Sequence, residues 1–193
     1  MHTLLSNTLK TTAIVLALSA LPVVAAADSY TIDPSHTYPN FTVDHLGFST
    51  MYGRFGKTSG RISMDRAQGS GSVDIVIDAA SIDTGHAKRD DHLRSPDFFN
   101  VMEFPLITFK SNTVKYVGDG ASVTGDLTIM GVTRSVTLDV PRINCGTHPF
   151  NKKQVCGFNA ITRFKRSDFG MSYGLPGIGD EISLDIGVEA FKD

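Results

Sequence analysis

Residues 85–95 read GHAKRDDHLRS, the densest run of titratable side chains in the sequence. Histidines, aspartates and basic residues this close together suggest a bound metal or a proton relay. Helical geometry tests the idea. His86 and His92 stand six apart, which separates them by about 120° around a helix axis, so they cannot share one ion on a regular helix. A metal-dependent enzyme would use His86 with Asp90 and draw a third ligand from His45 or His36. Asp90 and Asp91 diverge by about 100° and form no carboxylate pair. Each has a basic partner at helical spacing: Asp90 with Arg94, and Asp91 with Arg94 or Lys88. Such pairs contribute roughly 0.2–0.5 kcal/mol each. A solvated, ion-paired helix is therefore the favoured reading. The sequence also lacks a Gly-x-Ser-x-Gly elbow, a His-Glu-x-x-His pair, a glycine-rich phosphate loop and a Cys-x-x-Cys motif. It offers no nucleophile with an evident base, and no enzyme is expected; the metal-dependent version is the alternative.

The elements that position this run are mostly strands. Ile182, Leu184, Ile186 and Val188 alternate with Ser183, Asp185, Gly187 and Glu189, and only a strand puts those four apolar side chains on one face. The same period of two marks Phe41 and Val43, Val73 to Ile77, Ile107 and Phe109, Leu127 and Ile129, Val136 to Val140, and Phe158 to Phe164. Turn residues separate the runs: Asp65 to Gly71, Gly118-Asp119-Gly120 and Met130-Gly131-Val132. Eight or nine successive strands with hairpin-length links predict an all-β sandwich or up-and-down barrel. The alternation lapses between Ala79 and Leu106. There the sequence predicts a short helix over about 83–94, capped by Ser81 or Asp83 and stopped ahead of Pro96. Inserted once into a barrel, it would lie across one end. Leu93, Phe98 and Phe99 would plug the mouth, and the charged edge would face water.

An eight-stranded barrel either fills with side chains or holds one ligand. The inward set expected here is Phe41, Val43, Ile75, Ile77, Phe109, Leu127, Ile129, Leu138, Phe158, Phe164, Ile182, Leu184 and Ile186. Apolar residues also crowd two loops, one with Phe48 and Met51, the other with Phe169 and Tyr173. They either ring the entrance of a lipid pocket or fold back as extra core, leaving a closed structural or stress-protective barrel. Binding a long chain needs no catalytic group, because each buried methylene contributes about 0.8 kcal/mol. His45, Arg54, Arg89 and Arg94 are the candidates for fixing a head group at the mouth.

Lys10, the apolar run Ala13 to Val24 and Ala25-Ala26-Ala27 have the form of a secretory signal peptide cleaved after Ala26 or Ala27. That leaves one domain, residues 28–193, in an oxidising compartment. Cys145 and Cys156, the only cysteines, then form a disulfide most simply. A Cys/His metal site with His148 is the sharper alternative. A formal net charge of −2 gives no special attraction to nucleic acid or anionic membranes.

Three segments carry a resemblance: YTIDPSHTYPNFTVDHLGFSTMYGRFGKTSGRISMD, SIDTGHAKRDDHLRSPDFFNVMEFPLITFKS and GDLTIMGVTRSVTLDV. Together they resemble the YceI-like polyisoprenoid-binding proteins, from Tyr30 to Val188. The resemblance implies a lipocalin-like, eight-stranded antiparallel barrel whose apolar pore holds a polyisoprenoid or similar amphiphile. It also implies a periplasmic location and a possible homodimer, with no catalytic residue and no cofactor. The cysteine pair lies outside the family pattern.

Overall fold

The computed structural model describes residues 27–193, so the expected signal segment lies outside the described residues. The chain runs β1 (Asp28–Ile32), β2 (Tyr38–His45), β3 (Ser49–Phe55), β4 (Thr58–Asp65), β5 (Ser70–Asp78), a two-residue β6 (Ile82–Asp83) and α1 (Ala87–Arg94). It continues with β7 (Leu106–Val117), β8 (Gly120–Ile129), β9 (Val132–Val140), β10 (Ile143–Thr147), β11 (Gln154–Lys165) and β12 (Ile178–Lys192). Neighbouring strands follow the order β11-β9-β8-β7-β5-β4-β1-β12, and β12 pairs again with β11. Eight antiparallel strands thus close a barrel. β12 is long enough to pair with β1 through Ala190–Lys192 and with β2 through Ile178–Gly187. β2 and β3 therefore extend the lines of β1 and β4 beyond a break in each.

Alternation explains the wall. On β12, Ile182, Leu184, Ile186 and Val188 face inward, and their polar neighbours face out. Met130 and Gly131 adopt φ of 51° and 72° between the paired residues Ile129 and Val132. Two positive-φ residues in a two-residue link give the turn whose twist suits a hairpin. A side chain at Gly131 would meet the Phe104 ring at 2.9 Å, so glycine is required there by space as well as by backbone. On β7 a bulge between Ser111 and Thr113 shifts the register with β8. It flips the inward parity from Ile107 and Phe109 to Val114 and Tyr116.

The helix begins later than residue 83. Ile82 and Asp83 pair with β3 instead, and Gly85 takes φ of 74°, which no α-helix accommodates. Neither Ser81 nor Asp83 caps it: Ser81 Oγ donates to the Asp78 carbonyl and the Asp83 carboxylate accepts from Gly85 N. His86 is the cap, its Nδ1 accepting the Arg89 N–H at 3.2 Å. Ser95 leaves the helix at ψ 170° ahead of Pro96, as expected.

β10 continues the line of β9 against β11 after a short break and forms a hairpin with it, with Cys145 opposite Cys156 in register. The two are joined in a disulfide, so the His148 metal alternative is set aside. By loop-closure entropy, breaking it should cost a little under 3 kcal/mol. Thermal unfolding in the presence of reductant, or of the Cys145→Ala/Cys156→Ala variant, is expected to fall by several degrees with the β-sheet circular dichroism unchanged before the transition. An unchanged midpoint would show the hairpin to be held by its backbone ladder alone.

Candidate binding cavity

The inward faces of the eight strands do not fill the barrel. A cavity of about 210 Å³ is left among them, far more than the space of a single water. Its wall takes residues from every strand of the ring, and the side chains are almost all hydrocarbon. Of the polar residues on it, Thr37, Tyr116 and Arg166 bond to backbone and Ser63 pairs with Ser72 Oγ. Thr37 Oγ1 donates to the Glu189 carbonyl and accepts from Glu189 N, and the Tyr116 hydroxyl donates to the Ser70 carbonyl.

The helical end is closed by the residues that follow α1 and by the segment after β11. Leu93, Phe98 and Phe99 reach the cavity, and Phe99 meets Phe55 edge to face, ring centroids 5.4 Å apart. Phe169 packs against Phe164 at 5.2 Å, and Met171 is buried beside them. Beneath this lid lies Arg166, 4% exposed. Its Nε donates to the Gly179 carbonyl at 2.8 Å, Nη1 to Met171 at 3.0 Å and Nη2 to Ile178 at 3.0 Å. Burial pulls its pKa below the ordinary arginine value, and the Asp180 carboxylate opposes that shift.

The structure gathers most of the expected residues around this space: Phe41, Val43, Ile75, Ile77, Phe98, Phe99, Phe109, Leu127, Ile129, Leu138, Phe158, Phe164, Phe169, Ile182, Leu184 and Ile186 all line it. Four do not. His45, Phe48 and Met51 sit at the tip of the β2–β3 hairpin, where β3 from Ser49 to Gly53 pairs with β2 alone. That tip outruns the ring, and Phe48 is 88% exposed. Tyr173 lies outside the lid, stacked edge-on against Phe98 at 5.3 Å and His92 at 5.1 Å.

The three arginines proposed for a head group also lie off the cavity wall. Arg54 pairs with Asp83 at 3.3 Å and lies over the Tyr38 ring. Arg89 donates to Thr84 Oγ1 and to the Thr84 carbonyl. Arg94 donates to the Ala80 and Ile82 carbonyls and pairs with Asp91 at 3.1 Å. Both tie α1 to the strand end before it. Asp90 departs from the expected pattern too. It is buried, accepts from Thr84 N and Oγ1, and makes no pair with Arg94. The polar run thus holds the lid in place, and the expected edge of charges facing water is interrupted by a buried carboxylate. Asp90 Oδ1 is taken by Thr84 and His86 Nδ1 by the Arg89 N–H, and among the described residues neither side chain joins a cluster of three metal-type groups.

Among the described residues, metal-type side chains instead meet at Asp33, His36 and Glu189, their ligand atoms within 4.8 Å of one another. His36 Nδ1 is 2.7 Å from Asp33 Oδ2. That hydrogen bond, helped by Glu189, pushes the His36 pKa up.

Residues missed from sequence fall into two kinds. Ile62 and Met64 of β4, and Ala121 and Val123 of β8, follow visible alternation. Val114 and Tyr116 are hidden by the bulge, and Arg166 carries no signal, since a charged residue ending a strand reads as solvated.

The YceI-like domain matches residues 30–190. Protein YceI of Escherichia coli O17:K52:H18 (strain UMN026 / ExPEC) is 40% identical over 171 residues, covering 87% of this chain and 89% of that protein. Among solved structures, BcnA of Burkholderia cenocepacia superposes with a TM-score of 0.73 at 25% identity, covering 82% of this chain and 98% of its own. A polyisoprenoid binding domain from Saccharophagus degradans superposes with a TM-score of 0.62 at 18% identity, over 85% and 98% of the two chains, which is a likeness of fold. Barrel, lid helix and sequence agree: the chain belongs to the YceI-like family.

Proposed function

We propose that the protein binds a long-chain amphiphilic lipid, of the polyisoprenoid or a similar class, inside its barrel, and that it stores or carries this lipid in the periplasm. The observation that supports the reading is the hydrocarbon wall, drawn from all eight strands around one space. Burial alone supplies the affinity. Ten methylenes at about 0.8 kcal/mol each give a gross gain near 8 kcal/mol before the costs of immobilisation. No catalytic role is assigned to any side chain. The apolar N-terminal run supports export. Family membership and the fold shared with a polyisoprenoid binding domain support the ligand class.

The test is extraction. Protein produced in a bacterial periplasm and purified without detergent is expected to release a long-chain lipid into organic solvent, near one per chain by mass spectrometry. Preparations that release none, and that also fail to take up a fluorescent long-chain lipid, would overturn the reading.

A further inference from the structure

One hydroxyl on the cavity wall has no obvious use. Thr58 is 3% exposed and lines the cavity, and its Oγ1 meets no hydrogen-bond partner among the described residues. The residue opens β4 just after the break at Gly56 and Lys57. It pairs with Ile77 of β5 and shares its inward parity with Ile62 and Met64. Its backbone is therefore held in the ladder, and its side chain is directed among hydrocarbon.

A buried hydroxyl without a partner destabilises a fold, and valine would fill the same shape without that penalty. Of the other polar wall residues named above, Thr37 turns to Glu189, Tyr116 to Ser70, Arg166 to three carbonyls and Ser63 to Ser72 Oγ. Among the described residues, Thr58 is the one whose buried hydroxyl is left without a partner.

Building on the lipid-binding reading, we infer that Thr58 is the hydrogen-bonding contact for a neutral polar group of the ligand, a hydroxyl, carbonyl or amide, held inside the barrel and not at its mouth. A hydroxyl both donates and accepts, so it suits any of these groups. An ionised head beside Thr58 would lose its hydration without a counter-charge in the surrounding wall of Ile62, Ile75 and Ile77. The ligand class is thus an apolar chain carrying an uncharged polar group that enters the cavity with it. The charged arginines of the helical end, Arg89 and Arg94, take no part.

The experiment compares two probes of one length, the isoprenoid alcohol farnesol and the hydrocarbon farnesene, by displacement of the fluorescent dye N-phenyl-1-naphthylamine from the wild type, Thr58→Val and Thr58→Ser. Thr58→Val is expected to weaken farnesol by about 3- to 10-fold, the worth of one neutral hydrogen bond, and to change farnesene by less than twofold. Thr58→Ser keeps the wild-type preference. The lipid-free Thr58→Val protein melts at a higher temperature than the wild type, because the orphan hydroxyl is gone. Equal losses for both probes, an unchanged farnesol affinity, or a lower melting temperature would overturn the assignment and leave the binding reading standing. If neither probe displaces the dye from the wild type, the binding reading falls and takes the assignment with it.

Discussion

Arg166→Met should lower folding stability by about 3–5 kcal/mol, measured as a shift of the urea midpoint. Three nitrogens of one guanidinium each donate to a different backbone carbonyl, those of Met171, Ile178 and Gly179. These carbonyls belong to the segment that crosses the barrel end and leads into β12. Hydrogen bonds from a charged donor contribute about 1.5–3 kcal/mol each, though not additively. Methionine keeps the apolar stem and the cavity wall but leaves one buried and two part-buried acceptors without donors. Lysine offers a single nitrogen to three carbonyls in different directions, so Arg166→Lys should recover only part of the loss. The matched control is Arg163→Met. That side chain is largely exposed, and its 3.8 Å contact with Glu181 should be worth no more than a few tenths of a kcal/mol. A loss for Arg166→Met as small as that of the control would show that the 170–178 segment is held by Phe169 and Met171 packing instead.

Ala160→Phe should abolish lipid retention while leaving the fold intact. Ala160 is 3% exposed and stands on the cavity wall midway along β11, opposite Ile186 of β12. A phenyl ring there displaces on the order of four or five methylenes of guest. At about 0.8 kcal/mol each, that is roughly 3–4 kcal/mol, or a 100- to 1,000-fold loss of affinity. Overpacking a full core costs about 1–3 kcal/mol, but here the ring enters open space, so the cost to stability should fall at the low end. The readouts are lipid released on solvent extraction and the thermal midpoint of the delipidated protein. Ile161→Phe, one residue along and facing outward, should change neither. Undiminished lipid in the Ala160→Phe protein would place the ligand elsewhere than in the barrel.

Much of the wall was legible in the sequence, because a strand with one buried face writes its burial as a period of two. Phe158, Ala160 and Phe164 are inward for the same reason that Ile161 and Arg163 are not. The turn at Met130-Gly131 was legible too, since a two-residue hairpin link requires positive φ. Three features were not. The bulge at Ser111–Thr113 is stabilised from the neighbouring strand, where Val73 N donates to Ser111 Oγ, and nothing local announces it. The β2–β3 tip alternates like its own lower half, yet it rises past the ring, so Met51 repeats the pattern of Phe41 without reaching the cavity. Charge was the least legible of all. Asp90 and Arg166 read as solvated surface, and both are buried because backbone and hydroxyl groups six residues before the one, and five to thirteen after the other, are folded back onto them by turns. The three arginines expected at the mouth lie off the cavity wall for a related reason, being bound to Asp83, Thr84 and the Ala80 and Ile82 carbonyls. Charge density marked the place where the lid is fastened, while the one buried hydroxyl that meets no partner among the described residues sits in an unremarkable TSGRI.

The placement of β12 governs how the barrel comes to exist. This single strand bonds to β11, β1 and β2. At its end the Asp193 carboxylate accepts from Thr31 Oγ1, a partner 162 residues away. Joining such distant segments costs roughly 4–5 kcal/mol of loop entropy by the logarithmic rule. None of it is recovered until residues 178–192 are in register. Every arrangement lacking that strand is an open, curled sheet with two unpaired edges and its hydrocarbon face uncovered. The last seam to form is therefore also the step that creates an inside. Before it closes there is a surface on which a lipid can lie, and only afterwards a chamber that can retain one.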